Sequence, residues 1–197
     1  VSRVDAVMFK TVKWSAGSKA DGMSDSAACL SEALGMNSKI IIGYKGSKES
    51  ALAVMRGETD AISINPMSAR KHNTLIPVVV LDNKRTAVLP KVPTIFEIQH
   101  DLTAEQKWWL DFTISMRSFG RVMVAPSGTS PEKLEYLSSA LKDVLEDAEV
   151  IAQLELRGFN IDYMGGEQLK ETFTNISNDL TPTKLEEVKH VILEKYY

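Results

Sequence analysis

A chain of 197 residues is long enough for one large domain or two small lobes. With 44% apolar and 25% charged residues its balance is that of an ordinary globular protein, and a formal net charge of −3 lacks the basic bias that nucleic-acid binding draws on. No apolar run approaches the ~20 residues of a membrane span, and the lone Cys29 excludes an intramolecular disulfide and reads as a small core residue.

Strand-like and helix-like segments alternate from the start. Thr11 to Ser15 reads as a strand that runs into the small-residue loop Ala16 to Asp21. Ser24 to Leu34 reads as a helix, capped by Ser24 or Asp25, with Gly35 in the left-handed position past its end. Lys39 to Tyr44 is a second strand. A helix over Lys48 to Arg56 follows, with Ser47 as cap and Gly57 as stop. Ala61 to Asn65 is a third strand, Pro66 opens a short helix to His72, and Ile76 to Leu81 is a fourth strand. This β-α-β-α-β-α-β order predicts an α/β fold: a mainly parallel sheet flanked by helices, with its ligand crevice outside the carboxyl ends of the strands.

Residues 83–93 read as an exposed connection, Pro93 to Ile98 as a helical turn, and Thr103 to Asp111 as a helix. The adjacent Trp108 and Trp109 cannot share a helical face, which puts one in the core and the other against a second lobe or a partner. Arg121 to Ala125 is a further strand, and Pro131 opens a helix with apolar residues at 134, 137, 141, 144 and 145. Asp147 caps a helix that Gly158 stops; Ile161 to Met164 is a short strand; Gly166 to Asn178 is a helix. Thr181 and Pro182 start the last helix, with Leu185, Val188 and Ile192 on its apolar side and Val191 as a further candidate there.

Three loops follow strands that pair as neighbours: Ser15-Ala16-Gly17-Ser18, Tyr44-Lys45-Gly46-Ser47 and Asn65-Pro66-Met67. They offer hydroxyls, glycines and free backbone N–H groups, and lead into helix starts whose first amides lack intrahelical acceptors. Such a surface suits an anion. It is also what ordinary capped turns look like. Catalytic and metal constellations are poor. His72, His100 and His190 have no second ligand at metal spacing, and the carboxylates near Asp143 and Glu149 decorate helix faces. No cofactor or metal is expected.

The run from Gly43 to Ala61 (GYKGSKESALAVMRGETDA) resembles a signature of tripartite tricarboxylate transporter receptors, the Bug-type solute-binding proteins. Arg85 to Glu97 (RTAVLPKVPTIFE) and Val124 to Pro131 (VAPSGTSP) resemble two further family blocks, the latter with Ser130 as an extra residue. Asp147 to Gly158 resembles a fourth, with Ala148 in place of proline. The four stand in family order over about residues 12–175.

The resemblance implies a two-lobed periplasmic-binding-protein fold (type II) of which this chain carries the second lobe and lacks most of the first. Residues 1–120 would be the ligand-binding lobe; residues 121–197 would be a return strand and a C-terminal helical segment packing partly on the first lobe. It implies contacts to a small carboxylate from Ser15, Gly17, Ser18, Tyr44, Gly46, Ser47 and Asn65, with Met67 nearby. The first loop departs from the family pattern, being longer and lacking a following histidine.

The expected function is an extracytoplasmic (periplasmic) receptor that delivers its ligand to membrane permease subunits. It is not an enzyme and has no nucleic-acid partner; a homodimer would be one cover for apolar surface. The alternatives are a ligand-sensing regulatory domain, or an α/β enzyme acting on an acyl or phosphorylated substrate. The latter has no visible base near Ser18 or Ser47.

Overall fold

A computed structural model of the chain describes residues 11–157, 159, 161 and 163–197. The expected helix stop at Gly158 and part of the expected strand 161–164 lie outside the described residues. These form two compact units, one of residues 11–117 and 180–197, the other of residues 118–179. Residues 180–197, which sequence reasoning groups with 121–179, fall with the first unit.

In the first unit, β1 (Val12–Ser15) and β2 (Ser38–Ile41) pair in parallel, from Val12↔Ser38 to Ser15↔Ile41. Between them runs α1 (Gly22–Leu34), and α2 (Gly46–Met55) follows β2. Small residues make α1 a close fit to the sheet: Ala27, Ala28, Ser31 and Ala33 are all buried beside Leu30 and Leu34. Burying Leu30, Leu34 and Ile40 stabilises the unit by roughly 1.5–3 kcal/mol each. The cap of α1 is Asp21, not Ser24 or Asp25. Its carboxylate accepts from the Met23 and Ser24 amides at 2.9 and 2.8 Å, while the Ser24 hydroxyl oxygen accepts from the Asp21 amide at 3.1 Å. Likewise α2 starts at Gly46 with Lys45 as its N-cap, ahead of the expected Ser47.

The two later strands expected in this unit shrink to single bridges. Trp14 bridges Ala61 in parallel, and the Ser15 amide donates to the Ala61 carbonyl at 3.0 Å. Val80 bridges Thr94. Pro66 and Pro77 each remove a donor from the segments that would have to extend these pairings.

Next come α3 (Pro66–Lys71), α4 (Ile95–Ile98) and α5 (Ala104–Ser118). The last runs well past the expected end at Asp111. Trp109 is 1% exposed. Trp108 stacks on Phe112 at 5.1 Å and lies under the Lys184 ammonium, 4.1 Å from the ring centroid, so a side chain of the same unit covers it.

The chain returns to this core through α9 (Pro182–His190) and a π-helical turn, Val191–Lys195. Val188, Val191 and Tyr196 are buried there. Of the expected stripe, Val188 and the candidate Val191 are buried, whereas Leu185 is exposed. The Tyr196 carbonyl accepts from the Ile40 amide at 2.6 Å, and Glu32 accepts from the Lys195 ammonium and the Tyr196 hydroxyl at 2.6 and 2.7 Å.

The second unit holds α6 (Pro131–Glu146), α7 (Ala148–Leu156) and α8 (Gly166–Asp179), and none of these helices buries a residue. The expected strand 121–125 forms no ladder among the described residues: Met123 is 74% and Val124 87% exposed. No helix among the described residues is long and apolar enough to cross a membrane.

Candidate functional site

Because β1, β2 and the Ala61 bridge all run in parallel, the loops that follow them emerge at one end of the sheet. The first two are sewn together: the Gly43 amide donates to the Gly17 carbonyl at 3.0 Å, and the Tyr44 amide to the Ala16 carbonyl at 3.4 Å. Gly17 is required here. A Cβ would stand 2.8 Å from Asp21 Oδ2 and 3.1 Å from the Tyr44 carbonyl oxygen.

The first two loops are brought together, and the third follows the strand position that bridges Trp14, but several of their groups are already engaged. Ser15 is 1% exposed, and its hydroxyl donates to the Ser50 carbonyl at 3.1 Å and lies 3.4 Å from that of Ala61, so it ties β1 to α2. The Gly17 and Ser18 amides, expected to be free, donate to Asp21 Oδ2 at 2.9 and 2.8 Å. Since Asp21 Oδ1 holds the Met23 and Ser24 amides, one internal carboxylate fills the nest that sequence reasoning reserves for an external anion. Glu49 does the same on a smaller scale, accepting from the Lys45 amide.

The Gly46 amide donates to the Tyr44 carbonyl at 2.9 Å, and Gly46 sits at φ +77°. Tyr44 and Ser47 are half-buried, and the Ser18 residue is exposed. Asn65 caps α3 through its side-chain oxygen, which accepts from the Ser68 amide at 2.8 Å, and Met67 is half-buried in the first turn of α3.

Sequence reasoning misses Asp21 and Glu49 as occupants of these amides. The Asp21-x-x-Ser24 spacing is a capping-box signal that could have found the first. It also misses Arg117, near the end of α5. One guanidinium nitrogen donates to the Ser26 hydroxyl oxygen at 2.6 Å and lies 3.5 Å from that of Ser63, two residues past the Ala61 bridge. Desolvation holds the Arg117 pKa below the usual arginine value, with Asp82 pulling weakly the other way.

Two further groups titrate abnormally. Burial, then the neighbouring charge of Asp21, pushes Asp25 up to about 6 against a bond from Ser24. Burial pushes the Cys29 thiol up to about 12, which leaves it an inert core residue. Among the described residues no group of three histidines, cysteines or carboxylates could hold a metal ion.

A parallel α/β sheet with helices on its faces and loops gathered at its carboxyl edge is the architecture of a periplasmic-binding-protein lobe. The family model described as "Tripartite tricarboxylate transporter family receptor" (TctC) matches residues 10–182, and the chain belongs to that family. It is similar to the crystal structure of a TctC solute-binding protein from Polaromonas, solved with no ligand, at a TM-score of 0.64 and 19% identity. At that identity the likeness establishes the fold. The match covers 89% of this chain and 60% of that one, so the chain spans three fifths of its structural relative's length. No curated protein matches the chain. Both the matched family and the structural relative are solute-binding proteins.

Proposed function

We propose that this chain carries the ligand-binding lobe of an extracytoplasmic receptor that captures a small organic carboxylate and delivers it to the membrane subunits of its transporter, without chemical conversion. The observation that carries the reading is the gathering of the Gly17, Gly46 and Asn65 loops at one sheet edge, beside the first turn of α2. The leading amides of α2 have no intrahelical acceptor; Gly46 gives its own to the Tyr44 carbonyl, and Ser47 stands next in this first turn. Ser18, Tyr44, Ser47 and Asn65 are the ligand contacts under this reading, with Gly46 letting the ligand approach and Met67 lining the edge. Ser15 and Gly17 shape the edge from behind.

Residues 11–117 would then be the second lobe of a two-lobed receptor, and the exposed apolar faces of residues 118–179 would complete themselves on another lobe or on a second copy. Closure of such a receptor requires that ligand contact both lobes more favourably when they are shut.

A thermal-shift screen against mono-, di- and tricarboxylates tests the reading. The true ligand at 100 times its Kd stabilises by about 2.7 kcal/mol and is recovered unchanged. Ser47→Ala should weaken that shift while leaving the unliganded melting temperature in place. If no carboxylate stabilises the protein, or the stabilising one is consumed, the reading fails.

A further inference from the structure

We infer that Arg117 supplies the positive charge that holds the ligand's carboxylate at this sheet edge, an inference that rests on the receptor reading above. The edge is short of positive charge. Asp21 and Glu49 have placed their own carboxylates on the loop amides, so the backbone donors there are largely satisfied and the local field runs against a second anion. A cation must offset this.

The nearby lysines are poorly suited. Lys19 donates to the Leu193 carbonyl at 2.8 Å and lies over the Tyr197 ring; Lys45 and Lys48 are exposed to solvent. Arg117 differs. It forms no ion pair among the described residues, its guanidinium meets the neutral hydroxyls of Ser26 and Ser63, and both contacts use a single guanidinium nitrogen. Although the residue as a whole is exposed, its guanidinium has lost enough water to depress its pKa. A partly desolvated cation whose direct partners are hydroxyls, with the Asp82 carboxylate acting on it only through its charge, favours a directly bound anionic partner. The planar guanidinium fork, held by Ser26 and Ser63, leaves donors for a bidentate carboxylate.

A purely structural role is the competing account, since a cation in the last turn of α5 also complements the helix dipole. Calorimetry with citrate, succinate, acetate and sulfate separates the two, run on the wild type, Arg117→Gln, Arg117→Lys and the control Arg56→Gln. Whichever carboxylate binds the wild type should bind Arg117→Gln on the order of 10- to 100-fold more weakly and Arg117→Lys at an intermediate level, with the control unchanged. On the wild type itself, the guanidinium resonances of Arg117 should shift on adding that carboxylate, a readout that holds even if a variant misfolds. Wild-type affinity in Arg117→Gln, or a silent Arg117 resonance at saturation, overturns the inference and leaves the receptor reading standing. A wild type that binds no carboxylate overturns the receptor reading, and the inference with it.

Discussion

Asp21 is the residue on which the first loop turns. Its two oxygens take four amides, of Gly17, Ser18, Met23 and Ser24, and so join the loop after β1 to the start of α1. Removing an N-cap carboxylate costs ~1 kcal/mol on average and up to ~2. Asp21→Ala also strands two loop amides, so the expected loss is about 2 kcal/mol by urea denaturation. Added acetate should restore part of it, because the emptied nest accepts a small carboxylate. A loss under 0.5 kcal/mol, on the order of an ordinary surface change, would show that the four bonds do not hold the loop. Asp25 acts in the opposite sense. Its carboxyl titrates near 6 in the fold against 3.8 for an ordinary aspartate, so the folded chain binds a proton more tightly than the unfolded one. The resulting stability is complete below pH 4 and is lost as pH rises through 6. Asp25→Asn should remove that dependence and stabilise the protein at pH 7 by about 1 kcal/mol, the partial exposure of the group holding the effect well under the full shift. Denaturation curves at pH 5 and 7 check it; a variant less stable than wild type at pH 7 would refute it.

At the scale of elements, the first two strands and the later helix starts were readable, while the caps of α1 and α2 and the remaining strands were not. Pro66, Pro131, Asp147 and the Thr181-Pro182 pair each open a helix where the sequence places it, because capping is a local matter of one side chain and three amides. A strand needs a partner. The apolar runs at 61–65, 76–81 and 121–125 have strand composition, yet only single residues of the first two find a neighbour and the third finds none among the described residues. The family-like blocks were legible for a related reason. Arg85 grips both oxygens of Glu97 at 3.0 and 2.9 Å and also donates to the Pro90 carbonyl, while Thr94 and Glu97 form a capping box, so the block from Arg85 to Glu97 is a closed loop with its own fastenings. Arg85 accordingly holds Glu97 down at about 2. Thr129 closes the turn at Pro126 in the same local fashion. The site was legible to the same degree. The order of its loops follows from parallel pairing, but Arg117 reaches Ser26 across 91 residues, and no spacing rule signals a contact of that range.

The two units differ in how their amphipathic patterns are met, and this sets the expectation for the whole molecule. In residues 11–117 and 180–197, α1 is buried along most of its length and Trp109, Leu110, Val188 and Val191 close over it. In residues 118–179, α6 and α8 carry clear apolar stripes, yet Leu137, Phe173 and Leu156 of α7 stand exposed. Helices of this length are marginal in water without tertiary packing. Native-state hydrogen exchange should therefore separate the units: amides of β1, α1 and β2 opening only with global unfolding, those of α6, α7 and α8 showing protection factors on the order of 10 or less. Repeating the measurement at rising protein concentration adds the decisive control. If protection in α6 to α8 grows with concentration while that of α1 does not, a second copy covers the apolar stripes. If it is already high and independent of concentration, these helices are stabilised within the chain itself, and the view of residues 118–179 as half of an interface is wrong.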